Sequence, residues 1–383
     1  MRQTCEHFGF REVTTPAFEH TELFALRSGP SIVDQMYTFK DRGGRSLALR
    51  PELTAPVMRY YLSELRSRPR PLKVYYFGNC FRYERPQRGR LREFWTLGAE
   101  VLGSDEAEAE CIALSTEVIK QVGLKFQLRI GQIDVLRAML ADQGIKDEKA
   151  KEAMVLIDKH NWDGLGELLG EGSDELVEVL LAKTLENVDA KDASGALDRL
   201  KKVLSLLPSY GVTEYELDLS IARGLDYYKG IVWEIDAPSL GAERQICGGG
   251  SYALSEVLGG EPMGSTGFGI GFDRVMLALG EVEIKRPSLV YVIPIGDQLR
   301  EKAIQIATEL RSHGLGADTD LMRRSLGKNL EYANAIGADR AVIIGPRELE
   351  EGKAMVRDLQ SGAQTTMPIE GLVEFLTKNK IQR

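Results

Sequence analysis

The stretch FRYERPQRGRLREF, from Phe81 to Phe94, sets Arg82, Arg85, Arg88, Arg90 and Arg92 against only Glu84 and Glu93. Arginine's planar fork of donors matches phosphate oxygens, so a dense local group of this kind suits a polyphosphate substrate. A solvated, salt-bridged loop fits the same run equally well when it is seen alone. Two more arginines stand beside glycines that permit close backbone approach: Arg274 in GFGIGFDRVMLAL, and Arg223 in IARGLDYYKG. A fourth stretch, ICGGGSYALSEVLGG, carries Gly248 to Gly250 ahead of a helical-looking run. It lacks the Lys-Ser/Thr pair of a phosphate-cradling loop and the G-x-G-x-x-G of a dinucleotide site, which leaves two backbones passing closely as the competing reading. Cys5, Cys80, Cys111 and Cys247 form no C-x-x-C pair, and the four histidines are dispersed, so neither a disulfide framework nor a zinc cluster is suggested. Any metal is expected to arrive with a substrate.

The elements that must position these residues read as an α+β protein. From Phe10 to Gly103, strand and hairpin signals predict an antiparallel sheet, with a turn at Asp41-Arg42-Gly43-Gly44. On LREFWTLGAEVLG the odd positions Trp95, Leu97, Ala99 and Val101 are apolar, while Thr96 and Glu100 fall on the other face, so one face is core and the other lines a site or meets solvent. On the outgoing strand, Gly78 and Cys80 leave room beside Arg82 and Glu84. DEAEAECIALSTEVIKQVG reads as a helix with acids in its first turn. Residues 145–208 read as a small helical insertion, after which EYELDLSIA, GIVWEI and RQICGGG resume sheet character. The predicted domains are 1–286, carrying the arginines, and 287–383, an alternation of strands and helices beyond a charged, proline-containing linker.

Composition excludes several classes. Forty-three per cent hydrophobic and 28% charged residues describe a globular chain and exclude a disordered or fibrous one. No apolar run approaches the roughly 20 residues that span a bilayer, and MRQTCEHFGF lacks a signal pattern, so a cytoplasmic protein is expected. The net charge of −8 argues against wholesale coating of nucleic acid but leaves local basic patches open.

Taken together the motifs resemble a family. FRYERPQRGRLREF resembles motif 2 of the class II aminoacyl-tRNA synthetases, GFGIGFDRVMLAL their motif 3, and the segment from FREVTTPAFE their motif 1. The pair IARGLDYY and CGGGSY is narrower and resembles the two signature segments of histidyl-tRNA synthetases, over nearly the whole chain. That resemblance implies a class II antiparallel sheet flanked by helices, a helical insertion and a C-terminal α/β anticodon-binding domain. It also implies the two-step reaction: L-histidine and ATP give histidyl-adenylate and pyrophosphate, then histidine passes to the 3′ end of tRNA(His).

By the same resemblance, Arg82 grips the α-phosphate and the histidine carboxylate, Arg90 and Arg274 hold the distal phosphates, Glu84 belongs to the ATP site, and Phe94 stacks on adenine. Arg223 takes the family's catalytic place, with Tyr227 beside it in the histidine pocket. Glu52 and Thr54 match the residues that hold the substrate's amine, Glu100 and Tyr228 those that read its imidazole, and Tyr252 closes on it above a glycine floor. Gln87, Arg88, Arg323, Arg324 and Lys328 are expected to meet tRNA. Magnesium accompanies ATP as counter-charge, motif 1 implies a homodimer, and no membrane partner is expected.

Three departures stand out. Thr96 occupies the place of a usual glutamine that contacts the amine, and Ser251 and Ala253 replace an arginine and an aspartate. The resemblance places Met1 inside the family's first helix. The alternative reading is an inactive paralogue, the histidine-sensing regulatory subunit of ATP phosphoribosyltransferase. That group generally lacks the C-terminal domain and the catalytic arginine, both of which this chain carries.

Overall fold

The computed structural model describes the chain except for residues 26–33, 86–88, 171–172, 186–187, 189–192, 223–227, 283–285 and 379–383. It divides into two compact units, Met1–Gly280 and Glu281–Arg383.

The first unit is built on an eight-stranded sheet. In chain order its strands are β1 (Arg11–Glu12), β5 (Leu72–Phe81), β6 (Glu93–Leu102), β7 (Gln127–Gln132), β8 (Glu216–Leu217), β9 (Tyr228–Asp236), β10 (Gln245–Tyr252) and β11 (Ser265–Gly271). Their order across the sheet is β1-β5-β6-β11-β10-β9-β7-β8, with parallel pairs only at the two margins. The remaining early strands, β2 (Phe18–His20), β3 (Thr38–Lys40) and β4 (Ser46–Leu49), form a separate three-stranded sheet rather than continuing the large one. Pro16, which has no N–H for a ladder, separates β1 from β2. The buried guanidinium of Arg50 then ties the end of β4 to the large sheet by side-chain bonds, donating to the carbonyls of Asn79, Thr15 and Pro16. The predicted turn closes β3 and β4, with Lys40 opposite Ser46 and Gly44 at positive φ.

One face of the large sheet is covered by the helix Glu108–Gln121, whose Cys111, Ile112, Leu114, Val118 and Ile119 are fully buried against it. Close approach there explains part of the glycine run. Gly248 to Gly250 lie inside β10, bonded to β9 and β11, and not at a helix start. A Cβ on Gly249 would run into the ring of Trp233, and one on Gly250 into that of Tyr228. Between Asp147 and Leu206 the chain forms four helices among the described residues, burying Ala153, Ile157, Leu165, Leu176, Leu180 and Leu200 in the same core.

The second unit is a five-stranded sheet in the order β13-β12-β14-β15-β16: β12 (Leu289–Pro294), β13 (Gly316–Thr319), β14 (Arg340–Ile344), β15 (Lys353–Asp358) and β16 (Gln364–Pro368). Strands β12 to β14 pair in parallel, with apolar clusters on both faces. Sequence pattern gave β12 and β14. It missed β13, a short polar edge, and β15–β16, an antiparallel hairpin whose outer strand is largely exposed.

Candidate active site

The face of the large sheet opposite the helix Glu108–Gln121, partly packed by the helix Thr54–Tyr60, carries a cavity of about 870 Å³. Glu100 on β6 stands in its wall and is 1% exposed. Its carboxylate accepts from Thr54 Oγ1 at 2.9 Å, Tyr76 OH at 3.0 Å and Tyr252 OH at 2.8 Å. Burial pushes the Glu100 carboxyl up to about 7, although the three hydroxyl donors favour its charged form. Neighbouring glycines make room for this arrangement. Gly267, paired with Glu100 across β11, leaves the carboxylate its space, and Gly98 lets the Tyr76 ring cross from β5. A Cβ at either position would collide with its neighbour. Tyr76 was not anticipated from sequence, because an aromatic in a buried strand reads as core; the signal is Gly98, which the register sets directly opposite it.

Glu52 opens the helix Thr54–Tyr60, accepting from Thr54 N at 2.6 Å and Ala55 N at 3.1 Å. Its carboxyl is raised by burial despite those donors. Thr54 bonds Glu100, so the two candidate amine-binding residues have different duties: Glu52 fixes the backbone, and Thr54 reaches the pocket wall. Thr96 and Tyr228 line the same cavity. Gly248 and Cys247 contribute to its floor, whereas Gly249 and Gly250 are occupied by rings.

The arginines ring the other part of the cavity. Arg82 follows β5; its Nε donates to the Pro51 carbonyl at 2.9 Å and its guanidinium lies over the Phe94 ring at 5.3 Å. Phe94 therefore already carries a cation on one face. Arg90 pairs with Glu84 at 3.7 Å, and Arg274, in the first turn of the helix Phe272–Leu279, donates to the carbonyls of Gly89 and Gln245. Both arginines line the cavity. Arg129, unremarked in the sequence, holds Asp218 at 2.7 Å, Glu234 at 2.6 Å and Asp236 at 3.1 Å in the same wall. The alternating pattern that found Thr96 and Glu100 gives no mark to an interior arginine whose partners come from other strands.

Two expectations need correction. Trp95 is not core: its side chain is 42% exposed and stacked on Phe77 at 5.0 Å, and its backbone N–H donates to Asp273. The space beside Gly78 is not open either, because Arg50 fills it. Gln87, Arg88, Arg223 and Tyr227 lie outside the described residues. Arg323, Arg324 and Lys328 belong to the second unit. There Arg323 is exposed at φ +56°, with Asp297 at 3.3 Å. Arg324 turns back onto Asp320 at 3.0 Å and over the Tyr332 ring, so it is less available to a ligand than Arg323 and the exposed Lys328.

A buried carboxylate served by three hydroxyls, with arginines at the end of β5 and at the junction after β11, on an antiparallel sheet, defines a class II aminoacyl-tRNA synthetase catalytic unit. A profile for histidyl-tRNA synthetase matches residues 1–275 and one for an anticodon binding domain matches residues 289–379. The chain belongs to the histidyl-tRNA synthetase family. It is 44% identical to the histidine–tRNA ligase of Methanosarcina acetivorans, over 98% of this chain and 93% of that protein. Its structure resembles the apo histidyl-tRNA synthetase of S. aureus (TM-score 0.72, 28% identity, 98% and 92% of the two chains). The enzyme from Nostoc sp. PCC 7120 is similar again (TM-score 0.79, 26% identity, 98% and 93%). The matched anticodon domain and the named ligase relatives disfavour the regulatory-subunit alternative.

Proposed function

We propose that the chain is a histidine–tRNA ligase, activating L-histidine with ATP and passing it to the 3′ end of tRNA(His). The observation that carries the reading is Glu100: a buried carboxylate, fixed by Thr54, Tyr76 and Tyr252, that faces a cavity walled elsewhere by arginines. A ring N–H entering this pocket meets an acceptor, whereas an apolar side chain leaves the carboxylate unpaired; sites of this kind reject analogues by roughly 10⁴- to 10⁵-fold.

In the first step the carboxylate of histidine attacks the α-phosphorus of ATP. A carboxyl–phosphorus oxygen bond forms, the bond to the bridging oxygen breaks, and pyrophosphate leaves. Negative charge grows on the nonbridging oxygens, so the chain's part is positioning and charge stabilisation. Arg82, braced by Pro51 and Phe94, is suited to the α-phosphate, and Arg90 and Arg274 to the distal phosphates. The resemblance assigns Arg223 the catalytic cation. Magnesium in this reading accompanies the ATP phosphates as counter-charge and is part of the substrate. In the second step a terminal ribose hydroxyl of tRNA attacks the acyl carbon and AMP leaves. Residues 287–383 recognise the anticodon stem-loop, with Arg323 and Lys328 facing its phosphates and bases.

The enzyme acts as a cytoplasmic homodimer in this reading, supported by the motif 1 resemblance; among the described residues no helix is long and apolar enough to cross a membrane. The test is amino-acid-dependent ATP–pyrophosphate exchange across all twenty amino acids, followed by charging of tRNA(His). Exchange driven by another amino acid, or by none, refutes the assignment.

A further inference from the structure

A second cavity, of about 360 Å³, opens at the end of the strands on the far side of Tyr252, which lines both spaces. Its walls include Glu108, Arg199, Ser251 and Ser265. Glu108 opens the helix Glu108–Gln121 and is completely buried. The Oε1 atom of Glu108 accepts from Arg199 Nε at 3.0 Å, from Arg199 Nη2 at 2.6 Å and from Ser251 Oγ at 2.8 Å. Its Oε2 atom has no partner, and neither does Ser265 Oγ. Arg199 comes from the helix Ser194–Leu206, part of the helical stretch that interrupts the sheet's strands in sequence.

We infer that Arg199 is a positioning residue for histidine recognition: it fixes Glu108, Glu108 fixes Ser251, and Ser251 sets the backbone from which Tyr252 reaches Glu100. The chain of contacts is short and continuous. Only one peptide link separates the Ser251–Glu108 bond from the residue whose hydroxyl donates to Glu100 at 2.8 Å. The carboxylate of Glu108 has no solvent exposure and, among the described residues, relies on the Arg199 guanidinium for charge compensation. Without Arg199 its charge is left uncompensated, and it turns toward the cavity it lines to be solvated and releases Ser251. The helical stretch thereby contributes to amino-acid affinity without touching the substrate.

The inference rests on the histidine-activation reading, and the test separates the two. Full-length wild type and Arg199→Ala are compared in histidine-dependent pyrophosphate exchange, varying histidine and ATP separately. The expected result is a histidine KM raised roughly 10- to 100-fold, the scale of a small misplacement at a binding site, with the ATP KM and kcat at saturating histidine unchanged. Adding Ser251→Arg to Arg199→Ala places a guanidinium in the cavity beside Glu108 and is expected to return the histidine KM most of the way to wild type. A folded Arg199→Ala with a wild-type histidine KM overturns the inference, as does a parallel loss in kcat and both KM values, or a KM defect that Ser251→Arg leaves in place. Should Arg199→Ala fail to fold, Arg199→Lys keeps the charge and loses the fork; it must raise the histidine KM alone, and an unchanged value overturns the inference. A wild-type chain without histidine-dependent exchange refutes the underlying reading instead.

Discussion

Glu100 in the first unit takes its donors from residues 24, 46 and 152 positions away in the chain, whereas Asp320 in the second takes its donors from residues 2, 4 and 9 positions away. Both carboxylates are almost wholly buried. The long-range set exists only once β5, β6, β10 and the helix Thr54–Tyr60 have come together, so its properties belong to the whole sheet. The short-range set is a loop that organises itself: Asp320 bonds the backbone of Met322 and Arg324, and Asn329 fastens the same turn to the helix Leu326–Ala335. The two carboxyls shift in opposite directions. Burial dominates at Glu100 and raises it to about 7, while at Asp320 burial is outweighed by the backbone and side-chain donors, which hold it below the ordinary carboxylate range.

The contrast should break first, and hardest, in the cavity. Arg82→Ala is expected to lower histidine-dependent pyrophosphate exchange by roughly 100- to 1000-fold in a protein that still folds, as removal of a preorganised donor does. An exchange rate within a few fold of wild type would remove Arg82 from the chemistry. Next, Glu100→Gln keeps the shape and loses the charge; kcat/KM for histidine is expected to fall roughly 100-fold, the cost of one charged hydrogen bond in a dry site. A KM for histidine that does not move would mean the imidazole is read elsewhere.

The pH dependence sharpens the comparison further. Because the folded-state pKa of Glu100 is raised, its neutral form favours the folded protein, and that contribution is lost as pH rises from the ordinary carboxylate value through about 7, by up to about 3 kcal/mol. Asp320 has the opposite sign: its contribution is present above the ordinary value and lost as pH falls through its depressed folded value. Urea unfolding of the ligand-free protein at several pH values should therefore show the decline toward neutrality shrink in Glu100→Gln, leaving the part due to the raised Glu52 carboxyl, and the acid-side decline shrink in Asp320→Asn. Identical profiles for wild type and Glu100→Gln would refute the raised value. The smallest effect is expected at Arg323→Ala, exposed at the loop tip: a few-fold higher KM for tRNA, a salt dependence shallower by about one unit, and unaltered exchange. Loss of exchange there would tie the second unit to adenylation.

What the sequence made legible follows the same division. Period-two alternation on β6 placed Thr96 and Glu100 on the cavity face, the dense arginine run marked Arg82, and flanking glycines marked Arg274, because those signals are local. Tyr76, Arg50 and Arg129 were invisible, since each acquires its meaning from strands distant in sequence. Glu108 illustrates the limit: acids in a first turn suit the helix dipole, but nothing nearby announces that this one would be buried against Arg199 and Ser251. The fold class was readable from the order of patterns. The detachment of β2–β4 into their own sheet was not, because strand runs carry no mark of which sheet they join.

The chain's three indoles, Trp95, Trp162 and Trp233, differ in exposure and give the enzyme a built-in optical contrast. Trp233 is sealed in the core, its N–H donating to Ser115, and has no path by which a ligand could alter its surroundings directly. Trp95 is half exposed, at the start of β6 beside the cavity, with its ring stacked on Phe77. Emission from the buried Trp233 is expected at short wavelength, whereas Trp95 and the partly exposed Trp162 emit at longer wavelength, so a long-wavelength change on filling the cavity comes from one of those two. A ligand-induced change that is lost in Trp95→Phe and kept in Trp162→Phe would assign the signal to Trp95 and make intrinsic fluorescence a readout of cavity occupancy without any attached dye.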